Sequence, residues 1–166
     1  MEEIKVNLDN LTNEERETLL KLVEKGNKRV KRWRSGKNGT YYSVSDCGGL
    51  TKDFDHMSDH DNQCYQFGNY FETIDEANFA REKQYVYQKL KDYALEHNTR
   101  VINLDDYTQP KWYMRYDISC KFMRYQWTTS MYYMNQIYFT SEKIARDAVE
   151  EIGEDNIKKY LFGVKE

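Results

Sequence analysis

Cys47, His56, His60 and Cys64 bring two thiols and two imidazoles within eighteen residues, the ligand count of a structural zinc site. The spacing works against one, because eight residues separate Cys47 from His56 and no close cysteine pair starts a tetrahedron. Asp55, Asp59 and Asp61 in the same stretch could offer oxygens to a divalent cation, yet Asp53 to Cys64 lacks the glycine of an EF-hand loop. By type and spacing the segment reads as a solvated acidic loop, and no metal or cofactor is expected. Nucleophilic catalysis needs a thiol or hydroxyl beside a base. Cys47 ahead of Gly48 and Gly49 fits no nucleophile elbow or protease signature, and no Walker or Rossmann phosphate loop is present. Asp105 and Asp106 read as turn residues. The expectation is a protein that is not an enzyme.

The remaining chemistry is recognition by charge and by rings. The net charge is −3, but the signs lie in blocks. Residues 1–24 carry seven acids against three bases, residues 25–45 seven bases and no acid, and residues 46–76 eight acids against one base. In the basic block, Lys28, Arg29, Lys31, Arg32, Trp33 and Arg34 have the charges and the stacking ring of a segment that tracks phosphates. It is short and flanked by acid, so a solvated tether or a protein contact is the competing reading. In the acidic block, Asp53, Asp55, Asp59 and Asp61 could imitate phosphates before a basic channel. Aromatics make up 15% of the chain, with fifteen Tyr, so rings must build the core and leave some tips wet. Tyr113, Arg115, Arg124, Tyr132 and Tyr133 fall on or beside the unpacked face of a strand pair, where rigid rings make good anchors.

Three cysteines cannot all pair, no apolar segment follows Met1-Glu2-Glu3, and no run nears the ~18 apolar residues that span a bilayer. A soluble intracellular protein that avoids membranes is expected, with oligomeric state open.

These residues must be positioned by a few readable elements. Thr12 with Glu15 forms a capping box for a first helix whose apolar face is Leu19, Leu20, Leu22 and Val23, with Gly26 as its stop. A basic connector ends in Asn38-Gly39, a turn signal. Strands are expected from Tyr41, after Gly48-Gly49, and from Cys64 to Phe67, with 53–63 as loop. Thr73 with Glu76 caps a helix from about Ile74 to Glu96. Period-two alternation then predicts strands near 112–118, 120–127 and 134–139, with Trp112, Met114 and Tyr116 on one face. A helix from about Ser141 to Ile152 follows, ended by Gly153, with a short turn at 155–161. Tyr70-Phe71-Glu72-Thr73 and Tyr138-Phe139-Thr140 each precede a helix, and these helices open alike with Phe79-Ala80-Arg81 and Ile144-Ala145-Arg146. The expected fold is therefore α+β: an N-terminal helix with the start of the tether (1–30) and two pseudo-repeated β-β-β-α units (31–98 and 99–166) with antiparallel sheet.

The chain resembles a family of small uncharacterised proteins carried by phages and mobile elements of Firmicutes. The resemblance lies in Leu11-Thr12-Asn13-Glu14-Glu15-Arg16-Glu17, Trp33 before Tyr41-Tyr42, Gly68-Asn69 before Phe71, Tyr138-Phe139-Thr140-Ser141-Glu142, and above all Glu151-Ile152-Gly153-Glu154-Asp155 through Lys158-Lys159-Tyr160-Leu161-Phe162-Gly163-Val164. His56 and His60 lie outside that pattern, and it carries no catalytic residue. What it implies is a non-enzymatic, phage-encoded inhibitor of host immunity in the host cytoplasm. The best-matched kind is an anti-CRISPR protein that binds and blocks a Cas nuclease such as Cas9. Two alternatives stay open: a nucleic-acid-binding regulator using the basic segment 25–37, and a sponge for a nucleotide immune signal held in aromatic pockets.

Overall fold

A computed structural model describes residues 11–27 (side chains as far as 23), 32–131, 133 and 135–164. The chain divides into two compact units, Met1–Trp33 and Arg34–Glu166. The described part of the first is helix α1, Asn13–Asn27. Thr12 opens it as expected: its backbone N donates to Glu15 Oε2 at 2.8 Å and its Oγ1 accepts from Glu15 N at 3.3 Å. Gly26 does not stop the helix, which runs on through it to Asn27. Leu20, Leu22 and Val23 remain exposed.

The second unit runs β1 (Thr40–Val44), β2 (Leu50–Phe54), α2 (Asp59–Phe67), α3 (Ile74–His97), β3 (Lys111–Asp117), β4 (Phe122–Thr128), α4 (Glu142–Ile152) and α5 (Glu154–Phe162). Together with α1 this is an α+β fold of five helices and two antiparallel two-stranded sheets among the described residues. No described helix is long and apolar enough to cross a membrane.

Three expectations need correcting. Among the described residues neither sheet has a third strand: Phe71 and Phe139 each make a single bridge, to Tyr42 and Trp112 respectively. Two residues beyond each, Thr73 and Ser141 turn the chain into a helix by capping it, so the pairing cannot propagate. Residues 59–67, expected as loop and strand, form α2. Ser58 and Asp61 close a capping box that satisfies orphan donors at its start, and Gly68, at φ 82, adopts the left-handed conformation that ends it. The expected short turn after Gly153 is the two-turn helix α5.

Helix α3 organises the unit. It packs against β1 and β2 and also against α4 and α5, while α4 lies on β3 and β4. The expected boundary at 98/99 falls just after this helix, which packs on the first hairpin and on α4 and α5. At the β1–β2 turn Gly48, with φ 79, lets Tyr85 of α3 bring its hydroxyl to where a Cβ would sit. The core is where α4's apolar stripe, Ala145, Ala148 and Val149, meets Leu90 of α3, Ile157 of α5, Met114 and Met123 of the sheet, and Phe139. Phe139 and Leu90 are almost wholly buried, each favouring the fold by about 2–3 kcal/mol. Trp112, Tyr116 and Tyr125 pack on the same cluster, as period two predicts.

Candidate partner-binding surface

The structure divides the expected anchors into interior struts and one exposed face. Asp55 is an interior strut. Its carboxylate is fully buried and accepts from Arg34 Nε at 2.6 Å and Nη2 at 3.0 Å, Tyr70 Oη at 2.8 Å and Met57 N at 2.8 Å. The Arg34 guanidinium, ahead of the Met57 and Tyr70 hydrogen bonds, overcomes burial and holds its pKa down at about 2. Asp61 is buried as well, accepting from Tyr41 Oη at 2.9 Å, Ser58 Oγ at 2.7 Å, and the backbone N of Ser58 and His56, each at 3.0 Å. Burial opposes its ionisation, but these bonds outweigh that and keep its pKa below the ordinary value. The two carboxylates brace the ends of a ring stack, Tyr41 on Tyr70, with centroids 4.0 Å apart and planes within 8°. Burial, then the Asp61 carboxylate, pushes the Tyr41 phenol up, so it stays a donor.

Of the four aspartates expected to present charge to a partner, Asp55 and Asp61 therefore face inward. Asp53 is half-buried on β2, accepting from Thr51 Oγ1 at 3.0 Å, and Asp59 is exposed in the first turn of α2. Arg34, expected to contact nucleic acid, is spent on Asp55 and lies 5.2 Å from the Tyr65 ring. Arg32 is exposed and Trp33 half-buried; Lys28, Arg29 and Lys31 lie outside the described residues. Of the sulfur and imidazole set only His60 and Cys64 meet, Nε2 to Sγ at 3.6 Å, one helical turn apart on α2. Burial raises the Cys64 thiol, away from the thiolate a metal prefers. Among the described residues no three His, Cys, Asp or Glu side chains gather as a ligand set.

The exposed face is the outer side of the β3–β4 hairpin. Its register sets Arg115 directly opposite Arg124, and Tyr113 opposite Gln126. Arg124 is partly neutralised: Nε lies 2.6 Å from Asp117 Oδ2, and the guanidinium sits 4.7 Å from the Phe122 ring centroid. Asp117 also accepts from Ser119 and Cys120 in the hairpin turn, and these with Arg124 hold its carboxyl far below the usual range. Arg115 has no ion pair among the described residues; its Nη1 donates to Gln126 Oε1 at 3.4 Å. The two arginines, Asp117, Gln126 and Ile118 line a shallow depression of about 420 Å³.

Tyr113, expected as an anchor, is a support. It is buried, 5.3 Å from the Tyr133 ring and edge-on to Tyr138 at 6.1 Å, with its hydroxyl bonded to Gln126 Oε1 at 3.3 Å. Tyr133 is the exposed ring above it, and its backbone N donates to Tyr138 Oη at 2.6 Å. Tyr132 lies outside the described residues. Gln126, Phe122 and Ile118 complete the face. The alternation that places Arg124 outward places Phe122 and Gln126 beside it, and that signal was available in the sequence. Chemically the face offers forked donors and aromatic area, so it can hold an anionic group in a partner's surface.

No protein-family model, curated protein or solved structure matches the chain.

Proposed function

We propose that this chain is a non-enzymatic binding protein that acts by covering a partner, with the outer face of the β3–β4 hairpin as its contact surface. One observation carries the reading: an exposed arginine pair held in cross-strand register, where like charges repel and cost about 0.2–1 kcal/mol, beside the exposed rings of Phe122 and Tyr133. A hairpin built only for stability gains nothing from that pair. An acidic patch on a partner repays it with forked hydrogen bonds.

Together with the resemblance to phage proteins, this supports reading the chain as a phage-encoded inhibitor of host immunity whose partner is a CRISPR effector nuclease such as Cas9. Inhibition then requires only occupation of a working surface of the nuclease. Phosphate mimicry by the acidic block plays a smaller part than the sequence suggests, since Asp55 and Asp61 face inward. In the same reading the two hairpin-and-helix halves are copies of one unit: in each, a phenylalanine two residues before a helix cap bridges the first strand of a hairpin.

The test is binding of purified chain to a guide-loaded effector nuclease, read by biolayer interferometry and by target cleavage. The variant Arg115→Glu/Arg124→Glu should lose about tenfold to a hundredfold in affinity. Wild-type protein that binds and inhibits no effector nuclease removes the partner assignment; undiminished binding by the variant removes the face.

A further inference from the structure

A second surface, which shares no lining residue with the arginine depression, has the chemistry of a ligand site. Along one side of α3, where Tyr87, Lys91, Ala94 and Leu95 recur at helical spacing, the chain at 98–102 and 136–138 encloses a groove of about 560 Å³. That volume falls within the usual range of small-molecule sites. Its surfaces are mainly apolar: Ala94, Leu95, Val101, Ile102 and Ile137, with the ring of Tyr87. Leu95 and Val101 are 80% and 87% exposed, so the groove leaves aliphatic side chains in water. Tyr87, Gln136 and Ile137 also line a neighbouring hollow of about 280 Å³ between Leu90, Met114 and Leu161.

The charge around this trough is of one sign. Lys91 and Arg100 line the groove and Lys83 the hollow, and no carboxylate lines either, although the chain has 28 acids against 25 bases. None of the three cations makes an ion pair among the described residues. The amides that could read a nucleobase edge are already used. Asn98 donates to Tyr138 O at 3.1 Å and accepts from Thr140 N at 2.8 Å, and Gln136 Nε2 donates to Ile137 O at 3.3 Å. An apolar channel with unopposed cations and few free polar readers selects a long apolar body with an anionic end.

We infer that this groove binds a free single-chain amphiphilic anion, such as a fatty carboxylate, its chain laid on Leu95, Val101 and Ile137 and its head held by Lys91 and Arg100. The inference is independent of the hairpin face and of what that face binds.

Decanoate and decyltrimethylammonium, which share a chain and differ in the sign of the head, are the probes. They are titrated below their micelle concentrations into the full chain by calorimetry, with ¹H–¹⁵N spectra to locate the shifts. Decanoate should bind at least tenfold tighter and perturb residues 94–102 and 136–138. Lys91→Glu/Arg100→Glu, both surface positions, should invert the preference, and Leu95→Asp should weaken decanoate at least tenfold while the circular dichroism is unchanged. Equal affinity for the two probes overturns the proposal. So do perturbation elsewhere on the chain, an unaffected charge-reversed variant, or binding confined to phosphatidylglycerol vesicles with none to monomeric decanoate.

Discussion

Replacing Asp55 by Asn keeps the shape of the side chain and removes the charge on which four donors converge. The amide has one oxygen to offer and turns an NH₂ toward groups that are themselves donors, so the Arg34 guanidinium loses its bidentate partner and Tyr70 or Met57 loses an acceptor. The size of the loss follows from the carboxyl's shift from its ordinary 3.8 to about 2. At 1.36 kcal/mol per pKa unit that gives about 2–3 kcal/mol, and breaking a buried ion pair by removing one partner typically costs about 3–5 kcal/mol. A destabilisation of about 3 kcal/mol lowers the melting temperature of a chain this size by roughly 10 °C. The pH dependence has a definite sign. Because the folded-state pKa lies below the unfolded one, the stabilisation is complete above about pH 4 and is lost as the pH falls through about 2. Urea unfolding of wild type and Asp55→Asn at pH 7, 5, 4 and 3 should therefore show a gap of about 3 kcal/mol that begins to narrow only on the acid side. A double-mutant cycle with Arg34→Met should give strong coupling, since either change alone strands a charge or its donors. A gap under about 1 kcal/mol at pH 7, or one that stays constant down to pH 3, refutes the account of Asp55 as the keystone of this cluster.

The other charges give further expectations. Lys111 is almost wholly buried and its ammonium donates to three backbone carbonyls, Asp106 O at 2.6 Å, Gln109 O at 3.1 Å and Thr129 O at 3.2 Å. Lys111→Met leaves those carbonyls unsatisfied and should cost about 2–3 kcal/mol in urea unfolding, with faster amide exchange at 106–109. Arg115→Gln should leave the fold unchanged or more stable by up to about 0.5 kcal/mol by scanning calorimetry, because it relieves the repulsion from Arg124. A clear loss of stability there would show that the arginine pair is structural.

What could be read in the sequence was local. The helices α1, α3 and α4 announce themselves by Thr12, Thr73 and Ser141 at their starts, and the β3–β4 pair by its alternation. Helix α2 was hidden because nine mostly polar residues carry no apolar stripe; Ser58 and Asp61 make its capping box, and Asp61 is also tied to Tyr41. Asp55 was read as solvated for the same reason. Its partners are 21 residues before it and 15 after it, and an acid in an acidic stretch gives no sign of a distant guanidinium. The opposition of Arg115 and Arg124 needed the turn as well as the strands. Asp117 bonds across Ser119 and Cys120, Lys121 takes φ 57, and only that four-residue connection fixes which residue faces which.

The way this chain handles charge indicates where to look for its activity. Every charged side chain that it buries among the described residues is fully satisfied: Asp55 by Arg34, Asp61 by hydroxyls and backbone, Lys111 by carbonyls. No buried side-chain nitrogen or oxygen there lacks a partner. A sequence this consistent inside does not leave charges opposed or unanswered elsewhere through inability to pair them. Two surfaces stand out for the setting of their charges: the β3–β4 register, where Arg115 stands opposite Arg124, itself paired with Asp117, and the α3 groove, where three cations border aliphatic surface with no acid among the lining residues. An anion from outside would meet Arg115, which has no ion pair among the described residues, at the first and Lys91 and Arg100 at the second, so both surfaces gain from being covered. The two are distinguishable in one experiment: added salt should weaken a contact made through exposed arginines steeply, and should weaken less a ligand whose apolar body carries most of the binding.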